Sequence, residues 1–174
     1  MEVMSDGRCY AFCRNTYRED NEMKKTAIIY ASKHHGSTYK LAAAIAEKYD
    51  IVLIDAETQR QADLNEFELI GFASGIDFGK FYASIEQFLK DNLPEEKNVF
   101  FLYTCAKKSP RFTESMKTEA LKKRATILGE YGCRGYNTYG PWKLVGGMNK
   151  NHPNQEELDE VVHFFETIRF VSAL

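Results

Sequence analysis

The stretch that decides the fold, TAIIYASKHHGSTYKLAAAIAE, runs from Thr26 to Glu47. It begins with apolar residues that favour a strand, passes through small, hydroxylated and basic residues, and ends in a run of strong helix formers. In that run Leu41, Ala44 and Ile45 recur at three- and four-residue intervals, which places them on one face of a helix. The stretch therefore predicts a buried strand, a polar loop and an amphipathic helix.

The same alternation continues along the chain. Apolar runs occupy Ala27–Tyr30, Ile51–Ile54, Leu69–Ala73 and Val99–Tyr103, with a weaker run around Cys133–Tyr139, and helical spacing occupies Thr38–Lys48, Phe81–Asn92, Thr113–Tyr131 and Gln155–Phe170. Near-continuous apolar strands that alternate with helices are typical of a parallel sheet buried on both faces. We therefore predict an α/β fold: a doubly wound, five-stranded parallel sheet with helices on both faces. Asn154 followed by Glu157 also predicts a capping box at the start of the last helix.

Composition narrows the class of protein. The chain has 174 residues, of which 44% are hydrophobic and 28% are charged, which suits one globular domain. No apolar run approaches the roughly 20 residues that span a bilayer, and the N-terminus lacks the layout of a secretory signal. The four cysteines match no zinc spacing, so we expect reduced thiols, no metal site and a cytoplasmic location.

The first 22 residues look separate from the rest. They show neither helical nor strand periodicity, so we expect residues 1–22 to be a disordered or mis-annotated extension and residues 23–174 to form the domain. From Met23 onward the chain carries 20 basic and 20 acidic residues. Because no block of like charge stands out, we expect neither nucleic-acid binding nor a membrane span.

The polar loop after the first strand has the features of an anion site. A helix N-terminus offers unpaired N–H groups and a positive dipole end, and Ser32, Ser37 and Thr38 add hydroxyl donors. Gly36 allows close approach of the backbone or a positive φ. The alternative is a helix cap without a ligand. The spacing is neither GxxxxGK[ST] nor GxGxxG, which argues against nucleoside triphosphates and the usual dinucleotide fingerprint.

The segment YASKHHGSTYKLAAAIAE resembles the phosphate-binding loop of the flavodoxin family, in its variant with paired histidines before the glycine. The resemblance implies that FMN is the cofactor and that its phosphate contacts Ser32, His34, Ser37 and Thr38, with His35 and Gly36 shaping the loop. Lys33 completes the set of residues that we expect to bind FMN here. The family's more familiar loop has a different hydroxyl spacing, so the resemblance leaves open which histidine faces the ligand.

Two further segments are similar to the loops that hold the flavin ring in this family. The first, SGIDFGK, begins at Ser74, and the resemblance implies ring contacts from Ser74, Gly75, Ile76, Asp77, Phe78 and Gly79. It also implies that a glycine peptide, here that of Gly75, turns over on reduction. Judged from its residues alone, the segment could instead be an ordinary turn between a strand and a helix.

The second segment follows the fourth strand, where Thr104, Cys105 and Ala106 are expected to meet the ring through their backbone. No aromatic residue lies between Thr104 and Lys108, so a stacking role would pass to Phe78, Tyr82 or Trp142. Cys105 is expected to be a small packed residue, although a reactive thiol is the alternative. Lys107, Lys108 and Arg111 make the segment basic, which suits either an anionic partner or a solvated loop.

Three functions follow from these observations. The first is low-potential electron transfer by an FMN-binding flavodoxin-like protein that docks transiently onto a reductase or a ferredoxin-dependent enzyme. The second is an FMN-dependent oxidoreductase of the same fold, resembling quinone reductases or protoporphyrinogen oxidases. The third is a flavin-free module, since a fold does not fix a function. No Ser/His/Asp or Cys/His set indicates hydrolysis, and we assign no catalytic residue.

Overall fold

A computed structural model describes residues 25–33, 36–136 and 149–172. The strands are β1 (Thr26–Ala31), β2 (Ile51–Asp55), β3 (Leu69–Asp77), β4 (Lys80–Phe81), β5 (Asn98–Cys105) and β6 (Thr126–Arg134). The helices are α1 (Ser37–Ala46), α2 (Ala83–Asn92), α3 (Glu114–Lys122) and α4 (Gln155–Ser172), and a 3-10 turn (Pro110–Thr113) precedes α3. The expected extension, residues 1–22, lies outside the described residues.

The sheet confirms the predicted fold class. Five strands pair in parallel in the order β2-β1-β3-β5-β6, and the short β4 pairs antiparallel with the end of β3. Strand β2 lies on one side of β1, whereas β3, β5 and β6 follow one another on its other side. The strand order therefore reverses between β1 and β3, and such a reversal opens a crevice at the carboxyl ends of the strands.

Helices cover both faces of the sheet, as predicted. On one face, Phe72 and Phe101 from the sheet pack with the buried residues of α2 and α3. On the other, Ile28 and Phe100 pack with Leu41 of α1 and with buried residues of α4. Adjacent residues such as Phe100 and Phe101 serve opposite cores because successive side chains of a strand alternate between its faces. This alternation explains the continuous apolar runs that predicted the strands.

The prediction of a single helix over Thr113–Tyr131 is wrong. Helix α3 ends at Lys122, Arg124 adopts a φ of 57°, and β6 begins at Thr126. The predicted strand around Cys133–Tyr139 is misplaced for the same reason, because it overlaps β6 only at Cys133 and Arg134. The apolar residues of 126–134 fit both helical and strand spacing. Pairing with β5, a contact distant in sequence, selects the strand.

A capping box starts α4, as predicted. The Asn154 N–H donates to Glu157 Oε2 and the Glu157 N–H donates to Asn154 Oδ1, both at 2.9 Å. Glu157 also lies 2.7 Å from His152 Nδ1 and accepts from the Arg134 N–H. Burial acts to raise the pKa of Glu157, but its hydrogen bonds with Asn154, His152 and Arg134 outweigh burial and hold the pKa below its ordinary value of 4.5.

Replacing Glu157 with glutamine tests this network. The amide oxygen of the new side chain can still accept from Asn154, but its bonds lose their charge assistance, so we expect a loss of about 1 kcal/mol in the free energy of unfolding at pH 7. A lowered folded-state pKa gives stability that is present above the unfolded pKa and is lost as the pH falls through the folded value. The deficit of the variant should therefore shrink below a pH of about 4.5. Urea unfolding at neutral and acidic pH measures it.

The matched control for this prediction is Glu156→Gln. Glu156 is an exposed neighbour in the same first turn of α4, so its substitution should leave stability nearly unchanged at both pH values. A deficit of Glu157→Gln that stays constant from neutral to acidic pH would show that the carboxylate charge contributes nothing.

Candidate functional site

A cavity of about 350 Å³ opens at the carboxyl ends of β1, β3 and β5, where the strand order reverses. The structure brings to its wall eleven of the residues predicted to bind a cofactor: Ser32, Lys33, Ser37, Thr38, Gly75, Ile76, Asp77, Phe78, Thr104, Cys105 and Ala106. Ser74, Gly36 and Gly79 are adjacent in sequence to that wall but do not line it. His34 and His35 lie outside the described residues, as does Trp142.

The N-terminus of α1 forms one end of the cavity. Gly36 is the N-cap residue, has a φ of 66° and offers no side chain to cap the first-turn N–H groups. Ser37 and Thr38 begin the helix and are both buried, and Ser32 Oγ accepts from the Tyr39 N–H at 3.4 Å. The first turn, Ser37–Lys40, carries no acidic residue. This end of the cavity therefore offers hydroxyls, N–H groups and a positive dipole end, the features of an anion site.

Hydrogen bonds tie this helix end to the neighbouring strands. Thr38 Oγ1 lies 2.9 Å from Thr104 Oγ1, and the Tyr136 N–H donates to Ser37 Oγ at 3.3 Å. Gly135 packs so closely that a Cβ atom there would lie 2.9 Å from Thr104 Cβ. These contacts hold both buried hydroxyls of α1 in place, and Thr104 and Tyr136 position them.

Gly135 and Tyr136 line the cavity but were missed by the sequence analysis. The signal that would have found them is the end of β6 at Arg134. Residues just beyond the carboxyl end of a parallel strand lie at the ligand-binding edge of the sheet. Because the last strand was predicted to begin near Cys133, these two residues were placed inside it and not at its end.

The structure corrects the prediction that the third strand ends at Ala73 and leads into a loop. Strand β3 continues to Asp77, with Gly75 in register with Thr104 of β5, and Asp77 then pairs with Lys80. Phe78 and Gly79 form a two-residue turn with φ values of 46° and 80°. Positive φ at both turn positions matches the right-handed twist of a hairpin. The antiparallel pairing of β4 extends β3 beyond its apolar run, so SGIDFGK is a strand end and a hairpin.

Tyr82 lines the cavity beside this hairpin. A Cβ atom on Gly75 would lie 2.4 Å from Tyr82 Oη, so only glycine leaves room for the tyrosine ring. Ser74 Oγ donates to the Gly75 carbonyl at 2.7 Å and accepts from the Tyr82 N–H at 2.9 Å. The ammonium of Lys33 lies 4.9 Å from the centre of the Tyr82 ring. Burial, with the nearby charges of Asp77 and Glu57, raises the pKa of Tyr82 and keeps the phenol protonated.

Comparison with known proteins agrees with this geometry. Residues 27–137 match the family described as "Flavodoxin domain". The chain belongs to the flavodoxin family. The flavodoxin-like chain is also 36% identical over 146 residues to an uncharacterized protein of Methanocaldococcus jannaschii, an alignment that covers 83% of this chain and 97% of the relative.

Solved structures share the fold of this flavodoxin-like chain. A flavodoxin from the domain Archaea superposes with a TM-score of 0.60 at 16% identity, covering 86% of this chain and 99% of its own. A flavoprotein of Lactobacillus acidophilus, solved in complex with FMN, superposes with a TM-score of 0.51 at 19% identity, covering 63% of this chain and 93% of its own. At these identities the likeness is one of fold.

Cys105 lines the cavity of the flavodoxin-like chain as a packed thiol. Burial raises its pKa to about 11, although Lys108 acts in the opposite direction, and its Sγ lies 3.6 Å from the Cys133 carbonyl oxygen. At neutral pH the thiol is protonated and therefore a poor nucleophile. Within the described ranges, Cys105 and Cys133 are free thiols.

None of the helices in the described ranges is both long enough and apolar enough to cross a bilayer.

Proposed function

We propose that the protein binds FMN in this cavity and acts in low-potential electron transfer, docking transiently onto a redox partner such as a reductase or a ferredoxin-dependent enzyme. The observation that carries the proposal is the N-terminus of α1, where the buried Ser37 and Thr38 face the same cavity as Tyr82 and the β3–β4 hairpin. One end of the cavity suits a phosphate and the other suits a planar ring.

The residues on the cavity wall fit FMN. The hydroxyls of Ser32, Ser37 and Thr38, with the first-turn N–H groups of α1, would hold the phosphate. The backbone of 75–78, the backbone of 104–106 and the Tyr82 ring would hold the isoalloxazine ring. The cavity volume of about 350 Å³ lies within the range of cofactor sites. When bound, FMN supplies the electron-transfer chemistry, and the protein binds it, orients it and excludes water.

The charged residues that line the cavity favour a low reduction potential. Asp77 lines the cavity and contributes a carboxylate near the ring end. Lys33 also lines the cavity but already interacts with Glu57, whose Oε1 lies 3.6 Å from Lys33 Nζ. A fixed carboxylate makes it harder to add negative charge nearby, and a cation that is already paired offsets this only weakly. Among the residues that line the cavity, Asp77 therefore opposes the build-up of negative charge that accompanies reduction.

One observation favours an FMN-dependent oxidoreductase of the quinone reductase or protoporphyrinogen oxidase type as a second candidate. A polar cavity of about 530 Å³ lies next to the first and shares Ala106 with it. Basic residues (Lys107, Lys108 and Arg134) and acidic residues (Glu156, Glu157 and Glu160) both line this second cavity, which offers room for a polar substrate beside the first cavity. A transient carrier needs no such space.

The deciding experiment combines flavin binding with redox measurement. Titration of the flavin-free protein with FMN, followed by fluorescence quenching, should give a dissociation constant of about 1 μM or lower, a free energy near −8 kcal/mol. Anaerobic potentiometry of the loaded protein should then resolve two separate one-electron potentials, with negligible steady-state turnover of a quinone. Rapid quinone turnover would favour the oxidoreductase. Failure to bind FMN at micromolar concentrations would contradict both functions.

A further inference from the structure

Exposed basic side chains flank the mouth of the FMN cavity. Lys107 and Lys108 directly follow Ala106, which lines the cavity, and Lys80 directly follows the turn at Phe78 and Gly79. Arg111 lies in the 3-10 turn 110–113, which contacts β4. We call this set the basic rim: Lys80, Lys107, Lys108 and Arg111. Its positive charge contrasts with the whole chain, whose formal net charge is −2.

The basic rim differs in its ion pairing from several other basic residues in the described part of the chain. Elsewhere, basic residues form ion pairs: Lys90 with Glu86, Lys117 with Glu130 and Arg124 with Glu95. In the same described ranges none of the four rim residues forms an ion pair. The ammonium of Lys108 lies 5.7 Å from the centre of the Tyr131 ring, a contact that fixes its position without neutralising its charge.

An exposed aromatic residue lies inside this rim. Phe78 is 84% exposed and has a φ of 46°, a conformation that is costly for a bulky side chain. The β3–β4 hairpin imposes this conformation and holds the ring at the cavity mouth. An apolar residue surrounded by exposed charges reproduces the arrangement of a protein–protein interface, with an apolar centre and a polar rim.

We propose that the basic rim and Phe78 form the docking surface for an acidic electron-transfer protein, one that carries carboxylates around its own redox centre. The inference rests on the proposed function and specifies its partner. Lys80 lies in β4, and Arg111 lies in the 3-10 turn that contacts β4. Lys107 and Lys108 follow Ala106 on the cavity wall, so positive charge borders the opening at more than one segment. In the docked pair, the reduced centre of one protein loses one electron and the oxidised centre of the other gains it, and no bond forms.

Binding of two probe proteins to the full chain, measured with FMN present in excess, tests the proposal. The acidic probe is a plant-type [2Fe–2S] ferredoxin and the basic probe is cytochrome c. The variant Lys107→Glu/Lys108→Glu should weaken ferredoxin binding about tenfold at low ionic strength and flatten its dependence on salt. The matched control is Lys48→Glu/Lys123→Glu, which makes the same change in net charge beside the amino ends of β2 and β6. It should alter the affinity less than about twofold.

Three results would overturn the docking proposal: no ferredoxin binding by the wild-type protein, equal effects of the two double variants, or tighter binding of cytochrome c than of ferredoxin. Flavin content, measured separately from absorbance, keeps the two proposals distinguishable. Loss of FMN binding with intact, rim-dependent ferredoxin binding contradicts the function but supports the docking surface. Normal FMN binding with any of the three results contradicts the docking surface alone.

Discussion

Replacing Ser37 with aspartate is expected to weaken FMN binding at least about 100-fold, or about 2.7 kcal/mol, while riboflavin binding changes less than about threefold. Ser37 is the first residue of α1, is 4% exposed and lines the cavity. A carboxylate there would occupy the proposed phosphate position, take up the same helix N–H groups and repel the phosphate in a partly buried setting. Riboflavin lacks the phosphate and should be insensitive to that charge.

The matched control is Ser37→Asn, because asparagine has the shape of aspartate without its charge. It should retain most of the FMN affinity, and both variants can accept the Tyr136 N–H that Ser37 Oγ accepts in the wild type. Fluorescence titration of each variant with FMN and with riboflavin measures four affinities. Equal losses for both flavins in Ser37→Asp would mean that the phosphate binds elsewhere in the cavity.

The first strand and the first helix were predictable because the sequence patterns that specify them are local. The strand β1 and the helix α1 sit within two residues of their predicted bounds, since an apolar run and helical spacing are both read from neighbouring residues. The capping box at Asn154 is equally local. The end of α3 and the start of β6 were not predictable in this way, because 126–134 fits both periodicities and pairing with β5 decides between them.

The features of the candidate site also separate into those that local sequence patterns predict and those that they do not. The rule for parallel sheets directs attention to the loops after the first, third and fourth predicted strands, and residues from all three segments line the cavity. The contact between Gly75 and Tyr82 was not predictable, because no spacing rule says that the ring fills the space above that glycine. The bond between Thr38 and Thr104 joins residues 66 positions apart, and no local pattern encodes it.

Replacing Gly75 with alanine is expected to weaken the binding of FMN and riboflavin equally, each by about 30-fold. The new Cβ would lie 2.4 Å from Tyr82 Oη and 2.7 Å from Tyr82 Cζ, so the ring must leave its place on the cavity wall. Overpacking of this kind costs about 1–3 kcal/mol, and 2 kcal/mol corresponds to about 30-fold in affinity. The two flavins should respond alike because they share the ring that this end of the cavity is proposed to hold.

Gly71→Ala is the matched control, since the same substitution on β3 places a Cβ 2.4 Å from the Phe100 ring, which is buried in the core and does not line the cavity. It should lower the free energy of unfolding by about 2 kcal/mol and leave flavin affinity unchanged in the folded protein. Truncating Tyr82 removes the overlap, so Gly75→Ala/Tyr82→Ala should bind flavin no worse than Tyr82→Ala alone. Additive losses in the double variant would show that Gly75 acts through its own backbone and not through the position of Tyr82.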